Sequence, residues 1–264
     1  MKKIMKGTAL ITGASAGIGE ALAREFAKNG HDLILVARSA DKLKKLAVEL
    51  GKAHSIRAIA LPCDLGTTDA AEKLHAQASR RGLVVDILIN NAGVLHEGPF
   101  WETKLDAHQQ LLQLNIGALI ALTHLFVPGM IERKHGRILN LASTSAFQPI
   151  PYLSTYAASK AFVLSFSEAL NIELKGKGVK VTALCPGFTE TEMIAKTGGK
   201  SMNVPFVRNL TADEVAREGY AACAAGKSLY INGASNRAMI ALSQLQPRWI
   251  QRRVTEMIAK KGIA

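Results

Sequence analysis

Cysteine is scarce in this chain: three residues in 264, Cys63, Cys185 and Cys223, far apart and set among apolar or small neighbours. No C-x-x-C occurs, so neither a cysteine-built zinc site nor a disulfide framework is indicated; reduced core thiols in a cytoplasmic protein are the reading that remains. Long apolar runs are missing as well. None approaches the roughly 18 residues of a membrane-spanning helix. The opening "MKKIMKGTALITG" lacks the long apolar stretch and small-residue cleavage site of a secretory leader, and reads as the approach to a first strand. Low-complexity tracts are absent. With 48% hydrophobic and 20% charged residues the chain has ample material for a core, and disorder is not expected. Acidic residues fall short of basic ones, 21 against 33, giving a formal net charge of +12. The excess is scattered as on solvated helix faces, and no nucleic-acid motif accompanies it; its field favours anionic ligands such as phosphorylated cofactors. The histidines are dispersed, and no metal-ligand cluster is apparent.

What is present is alternation. Short β-rich runs occur at 8–12, 32–38, 57–63, 85–91, 137–143, 180–186 and 228–232, several of them apolar almost throughout, as strands buried on both faces must be. Between them lie segments with apolar residues at helical spacing, among them 19–30, 40–52, 68–82, 105–134 and 154–178. Strand–helix alternation implies βαβ units, and right-handed crossovers turn these into a doubly wound sheet. The expected fold is α/β, a three-layer Rossmann architecture with a mostly parallel seven-stranded sheet. No linker divides the chain, so residues 1–264 are expected to form one dinucleotide-binding and catalytic domain.

The first strand–turn–helix reads "TGASAGIGE", with Gly13, Gly17 and Gly19 in the turn. Glycine allows a sharp turn and a close backbone approach, and the helix that follows offers free N–H groups to a pyrophosphate. The second strand ends at Ala37, Arg38 and Ser39, where an NAD-specific site would place an acidic residue on the ribose. An arginine and a hydroxyl suit a 2′-phosphate instead, so NADP (as NADPH) is favoured over NAD.

The stretch "PYLSTYAASKAF" carries two tyrosines and a lysine. Tyr156 and Lys160 are four apart and share one helix face. A neighbouring ammonium is expected to lower a tyrosine pKa from about 10 and make it a usable proton relay. Tyr152 stands more than two turns from Lys160, behind Pro149 and Pro151, where a helix is not yet established. It is expected in a loop that meets the pocket. Ser143, Thr144 and Ser145 follow the fifth strand, and position alone does not choose among them. Asn115 lies inside a long apolar helical pattern, where a polar amide is either bonded to backbone or functional.

With these residues in view the chain resembles the short-chain dehydrogenase/reductase family. "TGASAGIG" is similar to that family's T-G-x-x-x-G-x-G signature, and the likeness runs from about residue 6 to about 190, through "NNAG" at 90–93, Asp64, Asn115, Ser143, Tyr156, Lys160 and "CPGFTET" at 185–191. The resemblance implies that Gly13, Gly17 and Gly19 line the pyrophosphate, with Ser15 and Ile18 in the same loop. It implies Asp64 and Leu65 on the adenine side, Asn91, Ala92 and Gly93 below the ribose, and Pro186, Gly187 and Thr189 beside the nicotinamide. Asn91 has a structural reading too, bridging neighbouring strands. The family spacing selects Ser143. It makes Asn115, Ser143, Tyr156 and Lys160 a catalytic tetrad for interconverting a carbonyl and an alcohol, with Tyr156 and Lys160 also touching the cofactor and Asn115 holding a water toward Lys160.

Substrate contacts are expected from 94–100, 144–153 and a loop at 188–210, which offer Leu95, His96, Phe147, Tyr152, Phe188, Met193, Met202 and Phe206 and imply an apolar ketone, aldehyde or 3-ketoacyl group. Past residue 233 the chain runs on through a helical extension at 234–264, resembling family branches with longer tails. Its segment "RWIQRRVTEMIAKK" has an apolar stripe and basic flanks, suited to packing on the core or a partner subunit; a membrane-surface helix is the alternative. A homo-oligomer, dimer or tetramer, is expected through helices 104–134 and 154–175. A non-catalytic NADP-binding regulator and a membrane-surface protein are the competing functional readings.

Overall fold

A computed structural model describes residues 6–189 and 209–262, with side chains described as far as Met257 at the carboxyl end. Seven strands, β1 (Thr8–Thr12), β2 (Asp32–Ala37), β3 (Ala58–Pro62), β4 (Ile87–Asn90), β5 (Gly136–Leu141), β6 (Val179–Cys185) and β7 (Leu229–Ile231), form one sheet in the order β3-β2-β1-β4-β5-β6-β7. Every neighbouring pair is parallel. The chain winds outward from β1 to β3, then returns and winds the other way from β4 to β7. The reversal between β1 and β4 opens a crevice at the carboxyl ends of the strands.

The strands are apolar on both sides because helices cover both faces. Leu10 and Ile11 are adjacent and fully buried, yet they belong to opposite layers, as alternating side chains on a strand must. Ile11, Leu33, Leu35 and Leu139 pack with α1 (Gly17–Lys28), α2 (Ala40–His54) and α7 (Ala212–Ala225), whose Phe26, Leu43 and Tyr220 are fully or almost fully enclosed. Leu10, Ile34, Leu88 and Ile138 pack with α3 (Ala70–Arg80) and α5 (Ala118–Glu132) through Leu74, Leu122 and Met130. A smaller cluster joins Val163 and Leu164 of α6 (Ser154–Glu173) to Ala183 and Cys185. Each such aliphatic side chain contributes about 1.5–3 kcal/mol on burial.

The segment anticipated as one long helix is α4 (Leu105–Leu112) joined to α5 by a π turn at Gln113–Gly117. By length and composition Leu105–Glu132 could cross a membrane, but Leu111, Leu119, Leu122, Phe126 and Met130 along it are buried in the protein. At the other boundary, Thr211 caps α7: its hydroxyl accepts from Glu214 N (3.2 Å), and the Glu214 carboxylate accepts from Thr211 N (3.0 Å). Two helices follow β7, α8 (Ala234–Gln244) and α9 (Arg248–Gly262), in the extension anticipated as helical.

Candidate active site

The glycine loop is locked to the loop after β4 through Thr12, the last residue of β1. Its hydroxyl donates to Ile89 O (3.2 Å) and accepts from the backbone N–H of Asn91 and of Ala92, both at 2.9 Å. Asn91 returns the contact, its Nδ2 donating to Thr12 O at 2.8 Å. The bridging reading of Asn91 is therefore what its side chain does here. Gly13 is held at φ 68° and Gly17 at φ 57°, in the left-handed region. A Cβ on Gly19 would overlap Gly13 O and the Asn91 amide. The N-cap residue of α1, Ala16, has no side chain able to occupy the helix end, so the first N–H groups of α1 face outward beside this cradle. Ser15 and Ile18 are half-buried in the same turn, Ile18 against the core.

Arg38 and Ser39 are exposed directly past β2, and Ser39 is the N-cap of α2 without making a capping bond. Cys63 N donates to Ala37 O (3.0 Å), which sets the end of β3 beside them. Asp64 is exposed and accepts from Gly66 N (3.0 Å), whereas the Leu65 side chain is 4% exposed in the core. Leu65 can thus meet a ligand only through its backbone.

On the other side of the crevice Ser143 follows β5 and caps a short 3₁₀ turn, Thr144–Phe147. Its oxygen accepts from Ser145 N (3.1 Å), and its hydroxyl donates to Ser145 Oγ (3.0 Å). Ser145 is thereby a support for Ser143. The Tyr156 phenol is near enough to Ser143 for that side chain to act on its proton affinity, and Lys160 Nζ lies 5.6 Å from the Tyr156 ring centroid. Lys160 is 6% exposed and donates to Leu141 O at 2.8 Å. Burial lowers its pKa from 10.5 to about 8.

The expected lowering of Tyr156 is not what this arrangement gives. Burial pushes the phenol up, and the neighbouring Ser143 side chain opposes that rise. The ammonium is spent on a backbone carbonyl, with no direct bond to the phenol.

Asn115 occupies the π turn, 2% exposed. Its Oδ1 accepts from Val94 N (2.9 Å), and its Nδ2 donates to Val94 O (3.0 Å) and Ser159 Oγ (3.2 Å). Ser159 in turn donates to Tyr156 O at 2.7 Å. The amide thus ties the loop after β4 to α6. A Cβ at Gly93 would stand 3.1 Å from Asn115 Oδ1 and 3.7 Å from Lys160 Nζ, so Gly93 lies between the two. The π turn explains how an amide in an apolar helix reaches this loop: the extra residue rotates it off the helical stripe.

Pro186 O accepts from Thr144 N (2.9 Å), and Gly187 O accepts from Thr189 Oγ1 (3.1 Å), so the loop after β6 is joined to the turn that carries Ser143. Of the residues expected to meet substrate, Leu95, Phe147, Tyr152 and Phe188 are half-buried and His96 is exposed. Phe100 and Trp101 stand out at 59% and 79% exposure. Tyr152 lies in a loop before α6, and its carbonyl accepts from Gly98 N at 3.0 Å. Met193, Met202 and Phe206 lie outside the described residues. Among the described residues no group of side chains could hold a metal ion.

Two supports escaped the sequence reading. Thr12 looks like any β-branched strand residue. Buried Asn90 and Asn140 bond each other (2.9 Å), with Thr123 and Ser167 completing the network. Asparagines ending the apolar runs "ILIN" and "RILN" were the available signal.

Comparison with known proteins points to one family. The family described as short chain dehydrogenase matches residues 7–201. Serine 3-dehydrogenase of Agrobacterium fabrum is 39% identical over 235 residues, covering 86% of this chain and 92% of that protein. Very-long-chain 3-oxoacyl-CoA reductase of Rattus norvegicus is 30% identical over 246 residues, covering 92% and 76%. Among solved structures, a short-chain dehydrogenase from Sphingobium yanoikuyae in complex with NADPH superposes with a TM-score of 0.81 at 32% identity, over 90% of this chain and 93% of that one.

Proposed function

Because the chain belongs to the short-chain dehydrogenase/reductase family, we propose that it reduces a carbonyl to an alcohol through Ser143, Tyr156, Lys160 and Asn115. It is an oxidoreductase acting on CH–OH groups, with NADP(H) as its cofactor. The observation that carries the finer reading is the placing of Tyr156 beside Ser143, with buried Lys160 5.6 Å from its ring, across the crevice from the glycine cradle.

The residues present fit a phosphorylated dinucleotide. Gly13 and Gly17 turn the loop at positive φ and Gly19 packs too closely on Gly13 to carry a side chain, so the turn presents bare main chain; α1 presents open N–H groups, and Arg38 with Ser39 offers donors for a 2′-phosphate. When bound, NADPH supplies the hydride. Negative charge then grows on the substrate oxygen. The Ser143 and Tyr156 hydroxyls face that charge as donors, and Tyr156 gives up its proton to the oxygen. A phenol whose pKa is raised by burial stays protonated near neutral pH, which suits the reductive direction. Lys160, charged for the most part below pH 8, stabilises the phenolate as it forms. Asn115 holds Val94 and Ser159, and so fixes both walls beside Lys160; the water it would hold toward Lys160 is part of this proposal.

The two relatives are named for reactions at carbon 3, of serine and of an acyl chain. Half-buried Leu95, Phe147 and Phe188, in the segments expected to meet substrate, with exposed Phe100 and Trp101 next to the first of these in sequence, favour the less polar kind of substrate. The test is NADPH oxidation against ketones, aldehydes, 3-oxoacyl thioesters and 3-oxo acids. Turnover with a 3-oxoacyl group is the expected outcome; no turnover on any carbonyl, in protein that binds NADPH, contradicts the reading.

Self-association belongs to the same proposal. Leu105, Leu112 and Ile120 on α4 and α5, and Phe162 and Ile172 on α6, are exposed large apolar residues on the helices anticipated to pair. Light scattering of the purified chain should give a dimer or tetramer, and a monomer at micromolar concentration removes this element.

A further inference from the structure

The extension after β7 reaches both loops that bound the crevice. Asn236, Ile240 and Gln244 stand four residues apart along α8 and so form a single stripe on it. At the amino end of the stripe the Asn236 amide is 1% exposed and lodged between two glycines. A Cβ on Gly187 would overlap its Nδ2 and stand 2.9 Å from its Cγ and Oδ1; one on Gly233 would stand 3.2 Å from Nδ2. At the other end Gln244 Nε2 donates to Phe147 O at 3.3 Å, on the turn that begins at Ser143. Ile240, 3% exposed, fills the middle.

The stripe is anchored at its start. Asn236 Nδ2 donates to Asn232 O (2.8 Å), and Asn232 N donates to Cys185 O (3.2 Å) at the end of β6. The Glu218 carboxylate on α7 accepts from Asn232 Nδ2 (3.0 Å) and Gly233 N (3.3 Å). Arg237 Nη1 donates to Ile231 O at 3.0 Å. The Oδ1 atoms of Asn232 and Asn236 are buried without a partner. An apolar side chain of similar volume would avoid that penalty, so a buried amide at 236 serves the fit of a flat group between two backbones better than it serves core packing.

We propose that α8 is a brace across the active site, with Asn236 the positioning residue that sets Gly187 and Gln244 the one that sets the turn after Ser143. The brace rests on the proposed reading that Gly187 lies beside the nicotinamide and Ser143 beside the substrate oxygen. The two ends of one helix then control two different things: Asn236 the depth and angle of the nicotinamide, Gln244 the substrate wall at Phe147.

The experiment compares Asn236→Ala, Gln244→Ala, Gly187→Ala and the double variant Gly187→Ala/Asn236→Ala in the full chain. The readouts are NADPH dissociation constant, the emission of the bound nicotinamide, melting temperature, and kcat and KM. Asn236→Ala should move the bound-nicotinamide emission toward that of free NADPH and lower kcat by about tenfold or more, with the dissociation constant within about threefold of wild type because the adenine half is untouched. Gln244→Ala should raise KM by about threefold to tenfold and leave kcat and emission alone. Gly187→Ala should disturb emission by itself and be partly rescued by Asn236→Ala, which vacates the space the methyl needs. Wild-type emission and kcat in Asn236→Ala overturn the brace. So does a parallel loss of NADPH affinity, kcat and melting temperature, which would mark a merely structural asparagine. If wild-type protein binds NADPH and reduces no carbonyl, the catalytic reading fails, and the emission comparison still judges the brace.

Discussion

Around the carboxyl ends of β1 and β2 the loops are shaped by backbone: glycines at positive φ, an open helix end, a threonine and an asparagine bonded to main chain. Around β5 and α6 they are shaped by buried side chains: Lys160 under Leu141 O, Asn115 between Val94 and Ser159, and Ser143 accepting from Ser145 N. The first region suits a ligand whose charge is fixed, since backbone N–H groups do not titrate. The second suits a reaction in which charge moves, since burial shifts the groups it encloses. The contrast predicts that substitutions in the catalytic half change rate and pH dependence, whereas those in the nucleotide half change affinity and cofactor preference.

The largest expected effect lies in the catalytic half. Tyr156→Phe removes one oxygen and leaves the ring, so kcat should fall by about 10²–10⁴, while NADPH affinity measured by fluorescence stays within a few fold. Residual turnover close to wild type would break the contrast at its strongest point.

Lys160 gives the next. Its folded pKa of about 8 lies below the ordinary 10.5, so between those values the unfolded chain binds more protons than the folded one. Stability therefore rises with pH across that window, and below pH 8 the whole penalty of enclosing the ammonium is present. Lys160→Met lacks the group. Between about pH 7 and about pH 10 the unfolding free energy of the cofactor-free wild type should gain on that of the variant by on the order of 2–3 kcal/mol, measured in urea melts. A gap that stays constant with pH would show that Lys160 is not held in a low-dielectric site.

The same division governs what could be read from the sequence. The glycine loop was legible because glycine takes the φ values at Gly13 and Gly17 without strain and alone allows the approach at Gly19. The order of strands and helices was legible because burial on both faces forces continuous apolar runs. The alignment of Tyr156 with Lys160 followed from helical spacing alone. The direction of the Tyr156 shift did not, because it depends on how deeply α6 is buried against β5, a tertiary fact. The π turn at Asn115 was hidden for a related reason: an inserted residue leaves the surrounding apolar pattern nearly intact. Asn236 was invisible too, since the glycine that makes room for it belongs to a different loop.

In the nucleotide half the sharper test is Arg38. It is exposed just past β2 beside an N-cap serine that makes no capping bond, so removing it disturbs no packing. Arg38→Ala should raise the dissociation constant for NADPH by about tenfold to a hundredfold, the range expected for lost charge-assisted hydrogen bonds. The constant for NADH should barely move, and kcat at saturating NADPH should hold. Equal weakening toward both cofactors would assign Arg38 to general attraction of anions and leave the 2′-phosphate to other residues.

The smallest effect returns to the tyrosine four residues before the catalytic one. Tyr152 has φ 64°, whereas Tyr156 lies on a regular helix. A left-handed backbone at a non-glycine residue is disfavoured by about 1–2 kcal/mol, less for asparagine and most for β-branched residues. The conformation persists because the Tyr152 carbonyl accepts from Gly98 N, and Leu153 N donates to Ile150 O, closing the turn. Tyr152→Asn should therefore keep or raise stability by up to about 1 kcal/mol, and Tyr152→Val should lower it by about 1–2 kcal/mol, both read as shifts in urea midpoint. KM should rise in both, since each removes an aromatic wall, while kcat stays near wild type. The opposite stability order would mean that side-chain packing, not backbone strain, fixes this loop. A fall in kcat comparable to that of Tyr156→Phe would mean that the two tyrosines share the chemistry after all.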